Sequence, residues 1–193
     1  WETILETAIA VVKLEPDFVR IYPVLVIENT ELADQYRAGE YEPLSTEQAI
    51  TYCAFLKDWF ERHNIEVIRT GLQSTEELDS GNSLVAGPYE PAMGELVVNE
   101  QYKQRIERCI NEHIESFINK ELSQWNIWGQ ANTFIALNIG VFYPRSLTSK
   151  VRGLKNRNML YFQEKYPHVN INWYEDSTRN TVRCCIDGLQ YVL

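Results

Sequence analysis

Four cysteines and three histidines are the residue types in this chain most suited to metal binding or nucleophilic attack, and their spacing argues against both. Cys53, Cys109, Cys184 and Cys185 form neither a disulfide framework nor a metal knuckle. Cys53 and Cys109 fall on the apolar faces of helical patterns, where a free thiol behaves as a small hydrophobe. Cys184 and Cys185 are neighbours on a strand pattern and point to opposite faces, so they do not share a metal. All four are expected to be reduced and structural, which fits a cytoplasmic protein. His63, near the end of a helical pattern, is placed to satisfy the terminal carbonyls, and His113 lies inside an apolar stripe as a hydrogen-bonded core residue. The chain has no Gly-x-Ser-x-Gly, no His-Glu-x-x-His, no Walker-type loop and no dinucleotide fingerprint. No catalytic residue and no metal ligand is assigned within it. What remains is binding chemistry: Arg69 and Gln73 beside a strand exit, with the acids Asp79, Glu90 and Glu95 nearby, and the basic group Lys150, Arg152, Lys155 and Arg157.

The elements that position these residues are read from periodicity. Residues 2 to 14 carry Ile4, Leu5, Ala8, Ile9, Val11 and Val12 at helical spacing, and Glu15-Pro16 ends the helix. Asp17 to Ile27 follows, the most apolar run of β-branched and aromatic residues in the chain, and it reads as a strand buried on both faces, as in a parallel sheet. Pro23 lacks an N–H, which puts Tyr22 and Pro23 near the strand's working end. Residues 29 to 44 read as irregular. Ser45-Thr-Glu-Gln48 is a capping box opening a helix with Ala49, Tyr52, Cys53, Leu56, Trp59 and Phe60 on one face. Ile65 to Thr70 is a second strand, parallel to the first. From Gly71 to Gly94 no periodicity is visible, and so long a stretch is expected to be a binding loop at the carboxyl end of the strands.

In the second half, Asn99 is placed as the cap of a helix bearing Tyr102, Ile106, Cys109, Ile110, His113, Ile114, Phe117 and Ile118, with Trp125, Trp128 and Gly129 in the connection after it. Thr133 to Val141 alternates as a strand, and a helix is expected from about Ser146 to Tyr166. Val169 to Trp173 and Val182 to Ile186 are expected to pair as a hairpin around the turn Glu175 to Asn180. The fold class is therefore α/β: a helix-strand-helix-strand unit in residues 1 to 97, followed by a small α+β module of β-α-β-β order in residues 98 to 193.

The 193 residues, 45% hydrophobic with a net charge of −9, are globular and unsuited as a whole to nucleic acid or anionic membranes. The charge is uneven: from Arg145 to Arg183 eight basic residues face Glu164, Glu175 and Asp176, a net of +5 that leaves −14 elsewhere. No apolar run is long enough to cross a bilayer. The chain starts at Trp1 rather than at an initiator Met, so it is expected to be a piece of something longer.

One known family shares several of these segments. Ile21-Tyr-Pro-Val-Leu-Val-Ile27, then Thr30-Glu-Leu32 and Gly39-Glu-Tyr41, resembles the segment that radical SAM proteins of the Elongator catalytic subunit type carry after their iron-sulfur motif. Asn29 stands where those proteins usually have Gly. Val67-Ile-Arg-Thr-Gly-Leu-Gln73 and Val85 to Val97 resemble the continuation in bacterial members, with Glu90 where a His is usual. The resemblance implies a C-terminal part of a radical SAM barrel that contacts substrate or cofactor through Tyr22, Arg69, Gln73, Glu90 and Glu95. It also implies S-adenosylmethionine and a [4Fe–4S] cluster in the full-length protein, held by a Cys-x3-Cys-x2-Cys that this chain lacks. The chain alone is thus not expected to be catalytic. The family's acetyltransferase domain, with its Gly-rich acyl-CoA loop, has no counterpart in residues 98 to 193.

Two further readings follow from the residues alone. One is a self-contained module that binds RNA, or a protein, through Lys150, Arg152, Lys155 and Arg157. The other is a structural interaction domain. Under the barrel reading the partner is the missing N-terminal half, and in its absence an uncovered strand edge is expected either to form a homodimer or to refold onto the chain's own C-terminal module.

Overall fold

The computed structural model describes residues 1–73, 75–81, 83–124 and 137–193. The chain divides into two compact units, Trp1–Gln101 and Tyr102–Leu193.

The first unit is built on a parallel strand pair. Helix α1 (Glu2–Lys13) leads into β1 (Phe18–Ile21), and α3 (Thr46–Arg62) leads into β3 (Glu66–Thr70). β1 and β3 pair in parallel from Phe18↔Glu66 to Ile21↔Thr70, with a register shift after Val19. A parallel pair needs a crossover helix, and α3 provides it. Its start is the capping box expected from Ser45: Gln48 Oε1 accepts from the Ser45 N–H at 2.9 Å, and the Gln48 N–H donates back to Ser45 Oγ at 3.2 Å. Ile50, Cys53, Ala54 and Phe60 of α3 pack with Ile21, Ile65, Met93 and Val97, and Val11, Val12, Val19 and Val67 close around them.

Several elements here depart from the sequence reading. The run Asp17 to Ile27 is not one strand buried on both faces. It breaks at Tyr22-Pro23, where no amide is available to continue a ladder, and its last residues form a separate short strand β2 (Val26–Ile27). Only alternate residues of β1 are covered, and Phe18 on the other face is 55% exposed. Residues 29 to 44, read as irregular, contain helix α2 (Glu31–Ala38), whose Thr30 hydroxyl accepts from the Ala33 N–H at 3.3 Å and whose Gly39 ends it in the left-handed conformation. The stretch from Gly71 to Gly94 is not structureless. It holds a turn of helix, α4 (Glu76–Asp79), and strand β4 (Leu84–Ala86), which pairs antiparallel with β2. Helix α5 (Met93–Gln124) begins six residues before the expected cap, so Asn99 is a buried residue within it. Pro91, which has no amide to satisfy, precedes its first turn.

The second unit is a four-stranded sheet in the order β6-β5-β7-β8. β5 (Asn138–Tyr143) is followed by a helical segment and by β6 (Asn170–Glu175), which lies parallel to β5. β7 (Arg183–Ile186) pairs antiparallel on the other side of β5, and β8 (Leu189–Val192) pairs with β7. The expected hairpin of 169–173 with 182–186 is therefore absent, because β5 lies between the two strands. The true hairpin is β7-β8, turned at Asp187 and Gly188, both with positive φ (47° and 85°), the pairing that a two-residue turn between twisted strands requires. The expected strand at Thr133 starts at Asn138; residues 133–136, with Trp125, Trp128 and Gly129, lie outside the described residues, as do the side chains of Phe117 and Ile118.

The helix expected from Ser146 to Tyr166 is broken. α6 (Thr148–Arg152) ends at Gly153 (φ 75°), a 3-10 turn spans Leu154–Asn156, and α7 (Arg157–Lys165) follows. A side chain at 153 would put its Cβ 2.9 Å from Asn158 Oδ1, and the Asn158 amide donates to the Val151 carbonyl at 3.0 Å, so the glycine lets the two helical pieces close on each other. One face of the sheet is covered: Ile139, Val141, Tyr143, Cys184 and Ile186 pack with Ile106, Ile110, Val151 and Phe162. His113 joins this core as expected, with Nδ1 3.1 Å from the Tyr191 hydroxyl.

Candidate functional site

The carboxyl ends of β1 and β3 are tied together by the Gly71 N–H, which donates to the Ile21 carbonyl at 2.9 Å. Gly71 (φ 82°) also lets α5 approach: a Cβ there would lie 2.6 Å from Met93 Cβ. Beside this junction is a cleft of about 390 Å³ lined by Arg69, Thr70, Gly71, Leu72, Gln73, Pro91, Ala92, Gly94 and Glu95. Arg69 Nη1 donates to Gln73 Oε1 at 3.0 Å, which orients the guanidinium and leaves the Gln73 amide group as a donor.

Three of the five residues expected here, Arg69, Gln73 and Glu95, meet in that cleft. Glu90 lines a separate narrow crevice with Pro23, Leu25 and Tyr89. Tyr22 lines neither; it follows β1 and is 43% exposed. The side chain of Asp79 lies outside the described ones. Arg20, not singled out from the sequence, is the register partner of Arg69 on the neighbouring strand and is exposed. The alternation of Phe18, Arg20 and Tyr22 was the signal for it, obscured by reading the strand as buried on both sides.

Cys53, Cys109 and Cys184 are buried free thiols and Cys185 is half-buried. Burial pushes the Cys53 thiol up to about 11 and the Cys184 thiol up to about 12, which keeps both protonated near neutral pH. Among the described residues no group of three His, Cys, Asp or Glu is placed to hold a metal ion. His63 Nδ1 is 2.7 Å from the Trp59 carbonyl, the helix-end role expected of it. No described helix is long and apolar enough to cross a membrane.

The basic group is split by the break at Gly153. Arg152 Nε donates to the Tyr143 hydroxyl at 2.5 Å and its guanidinium lies over the Tyr143 ring, so it braces the core. Lys150, Lys155 and Arg157 are exposed.

Comparison with known proteins shows what the first unit is similar to. The model of the radical SAM C-terminal domain matches residues 16–104, which include both strands, the cleft and the first turns of α5. This segment is thus similar to a radical SAM C-terminal domain. A tRNA uridine(34) acetyltransferase of Methanocaldococcus jannaschii is 34% identical over 97 residues, 50% of this chain and 17% of the relative. The same-named protein of Methanocaldococcus infernus is 33% identical over 96 residues, 49% of this chain and 17% of its own length. An uncharacterized protein of M. jannaschii is 40% identical over 58 residues, 30% of this chain and 18% of that protein. The match thus spans less than a fifth of each of these relatives. No solved structure matches the chain. The resemblance read from Tyr22-Pro23 onward is matched by these comparisons, and the segment similar to the radical SAM C-terminal domain takes in most of the first unit but not α1.

Proposed function

We propose that the radical SAM C-terminal domain of this chain supplies the last strands of a radical SAM barrel, closing it beside strands encoded upstream of Trp1 and contacting substrate at the β1-β3 carboxyl ends. The observation that carries this reading is a parallel strand pair covered on one face only. Helices bury Val19, Ile21 and Val67, while on the other face Phe18 is 55%, Tyr22 43% and Ile68 42% exposed. The pair forms a two-stranded sheet among the described residues. Isolated two-stranded sheets are marginal in water, and an exposed edge with apolar neighbours is a site for another strand. Helix α1 leads into β1 as α3 leads into β3, so the strand that α1 would connect to β1 lies before residue 1.

In this arrangement the uncovered face becomes the barrel interior. Arg20 and Arg69 then stand side by side with Tyr22 where a substrate or cofactor carboxylate or phosphate sits, and Gln73 and Glu95 border it. The chain's own cysteines lack the Cys-x3-Cys-x2-Cys spacing of such a cluster. The cluster and S-adenosylmethionine belong to the upstream part. Without that part the chain is inert and self-associates through its open edge.

The test is the polypeptide that extends upstream of Trp1. It is expected to carry Cys-x3-Cys-x2-Cys and, reduced under anaerobic conditions, to cleave S-adenosylmethionine, with the 193-residue chain alone inactive. A reading frame that begins at or just before Trp1 would remove the proposal.

A further inference from the structure

The second unit lies almost wholly outside the matched segment, and the face of its sheet turned away from the core carries an arrangement that no comparison assigns. Tyr174, Phe142 and Arg183 are register partners in one row across β6, β5 and β7. The Phe142 and Tyr174 rings stack with centroids 4.9 Å apart and planes 22° apart. The Phe142 ring lies back over Gly140, where a Cβ would be 2.8 Å from its edge. Glycine at 140 is thus what permits the ring to lie along the sheet. The Arg183 guanidinium sits 5.6 Å from the Phe142 ring and pairs with Asp176, and its buried Nε has no hydrogen-bond partner among the described residues. Tyr174 ends the row on the edge strand and is 47% exposed.

The neighbouring rows are polar. Asn138 pairs with Asn170, and Asn172 lies opposite Gly140, so three carboxamides stand on the same face as the rings. Asn170 Nδ2 is 3.4 Å from Asn138 Oδ1, a weak contact that a better partner can replace. A flat aromatic pair bordered by amide donors and acceptors fits an unpaired nucleobase, which presents a π-face and a hydrogen-bonding edge together. An apolar protein surface docking here would leave these amides unpaired, whereas a base edge satisfies them. The charge also fits: residues 137–193 carry eight Lys and Arg against four Asp and Glu in a chain of net charge −9.

We infer that this sheet face binds single-stranded RNA, with a base stacked on Tyr174 and the Asn170 and Asn172 amides bonding its edge or the ribose 2′-hydroxyl. The inference rests on the second unit and stands apart from the barrel reading of residues 16–104. It differs from a basic-helix interface in that recognition comes from rings rather than from Lys155 and Arg157.

Fluorescence anisotropy of the full 193-residue chain with a labelled single-stranded oligoribonucleotide of about ten nucleotides tests it. The expected results are tighter binding to the single strand than to its RNA duplex or to DNA of the same sequence, and loss of about tenfold in affinity for Tyr174→Ala with retention in Tyr174→Phe. Asn172→Ala, a second variant on the same face, is expected to weaken binding in the same direction. Equal affinity of wild type and Tyr174→Ala, equal binding of duplex or DNA, or absence of RNA binding would overturn the inference. So would loss of binding in Lys155→Ala/Arg157→Ala with Tyr174→Ala unaffected, or a Tyr174→Ala effect on self-association alone.

Discussion

Arg20 and Arg69 are register partners on the parallel strands β1 and β3, two arginines set across the ladder near the carboxyl end of the strand pair. Like charges directly across a ladder oppose each other, so this placement is not explained by stability. Arg69 is steadied by Gln73, but the charge itself is not neutralised by that amide. In the 193-residue chain, Arg20→Gln is therefore expected to leave stability unchanged or to raise it by up to about 0.5 kcal/mol, measured by urea unfolding. In the longer polypeptide the same substitution is expected to weaken substrate or cofactor binding about tenfold or more, because a charge-assisted contact is lost.

Gly71 bears on the same site through the backbone. Its φ of 82° and the 2.6 Å that would separate an added Cβ from Met93 Cβ make Gly71→Ala a steric and conformational fault together. The expected cost is about 2–3 kcal/mol, seen as a lower denaturation midpoint for the first unit. Gly39→Ala is the control: its φ is similarly positive, but nothing lies within 4 Å, so only the conformational part, about 1 kcal/mol, is expected.

The cysteines divide by burial. Cys53, Cys109 and Cys184 lie in the two cores, with burial raising each thiol pKa, to about 11 for Cys53 and about 12 for Cys184, while Cys185 lies half-buried on the open face of the sheet. A raised pKa keeps a thiol protonated and unreactive below that value, so reaction with a disulfide reagent at about pH 8 is expected to label Cys185 quickly and the other three only on unfolding. Rapid labelling of Cys184 in the native protein would contradict the packing described for the second core.

How much of this was legible follows from which signals are local. The capping box at Ser45, the parallel relation of β1 to β3 and the core position of His113 all rest on short-range patterns that the fold kept. Helix α2 had its signals too, Thr30 before it and Gly39 after it, but the segment between is polar and lacks the apolar stripe by which helices are usually recognised. The Asp187-Gly188 turn was equally visible and marks the true hairpin; the competing turn at Glu175 to Asn180 drew the pairing elsewhere, because nothing local says that β5 intervenes. Residues of the site were found where a strand exit carried a charged side chain, as at Arg69. Arg20 was missed because the run from Asp17 to Ile27 is apolar enough to mask the alternation of Phe18, Arg20 and Tyr22 on the exposed face of β1.

The proposal that β1 pairs with an upstream strand is tested most directly by hydrogen-deuterium exchange across residues 17 to 27, compared between the 193-residue chain and the polypeptide extended upstream of Trp1. The outer-edge amides of β1 are expected to exchange quickly in the first and at least about tenfold more slowly in the second, as ladder formation protects them. Equal exchange in both would show that the edge never meets a partner strand, and the barrel reading would be wrong.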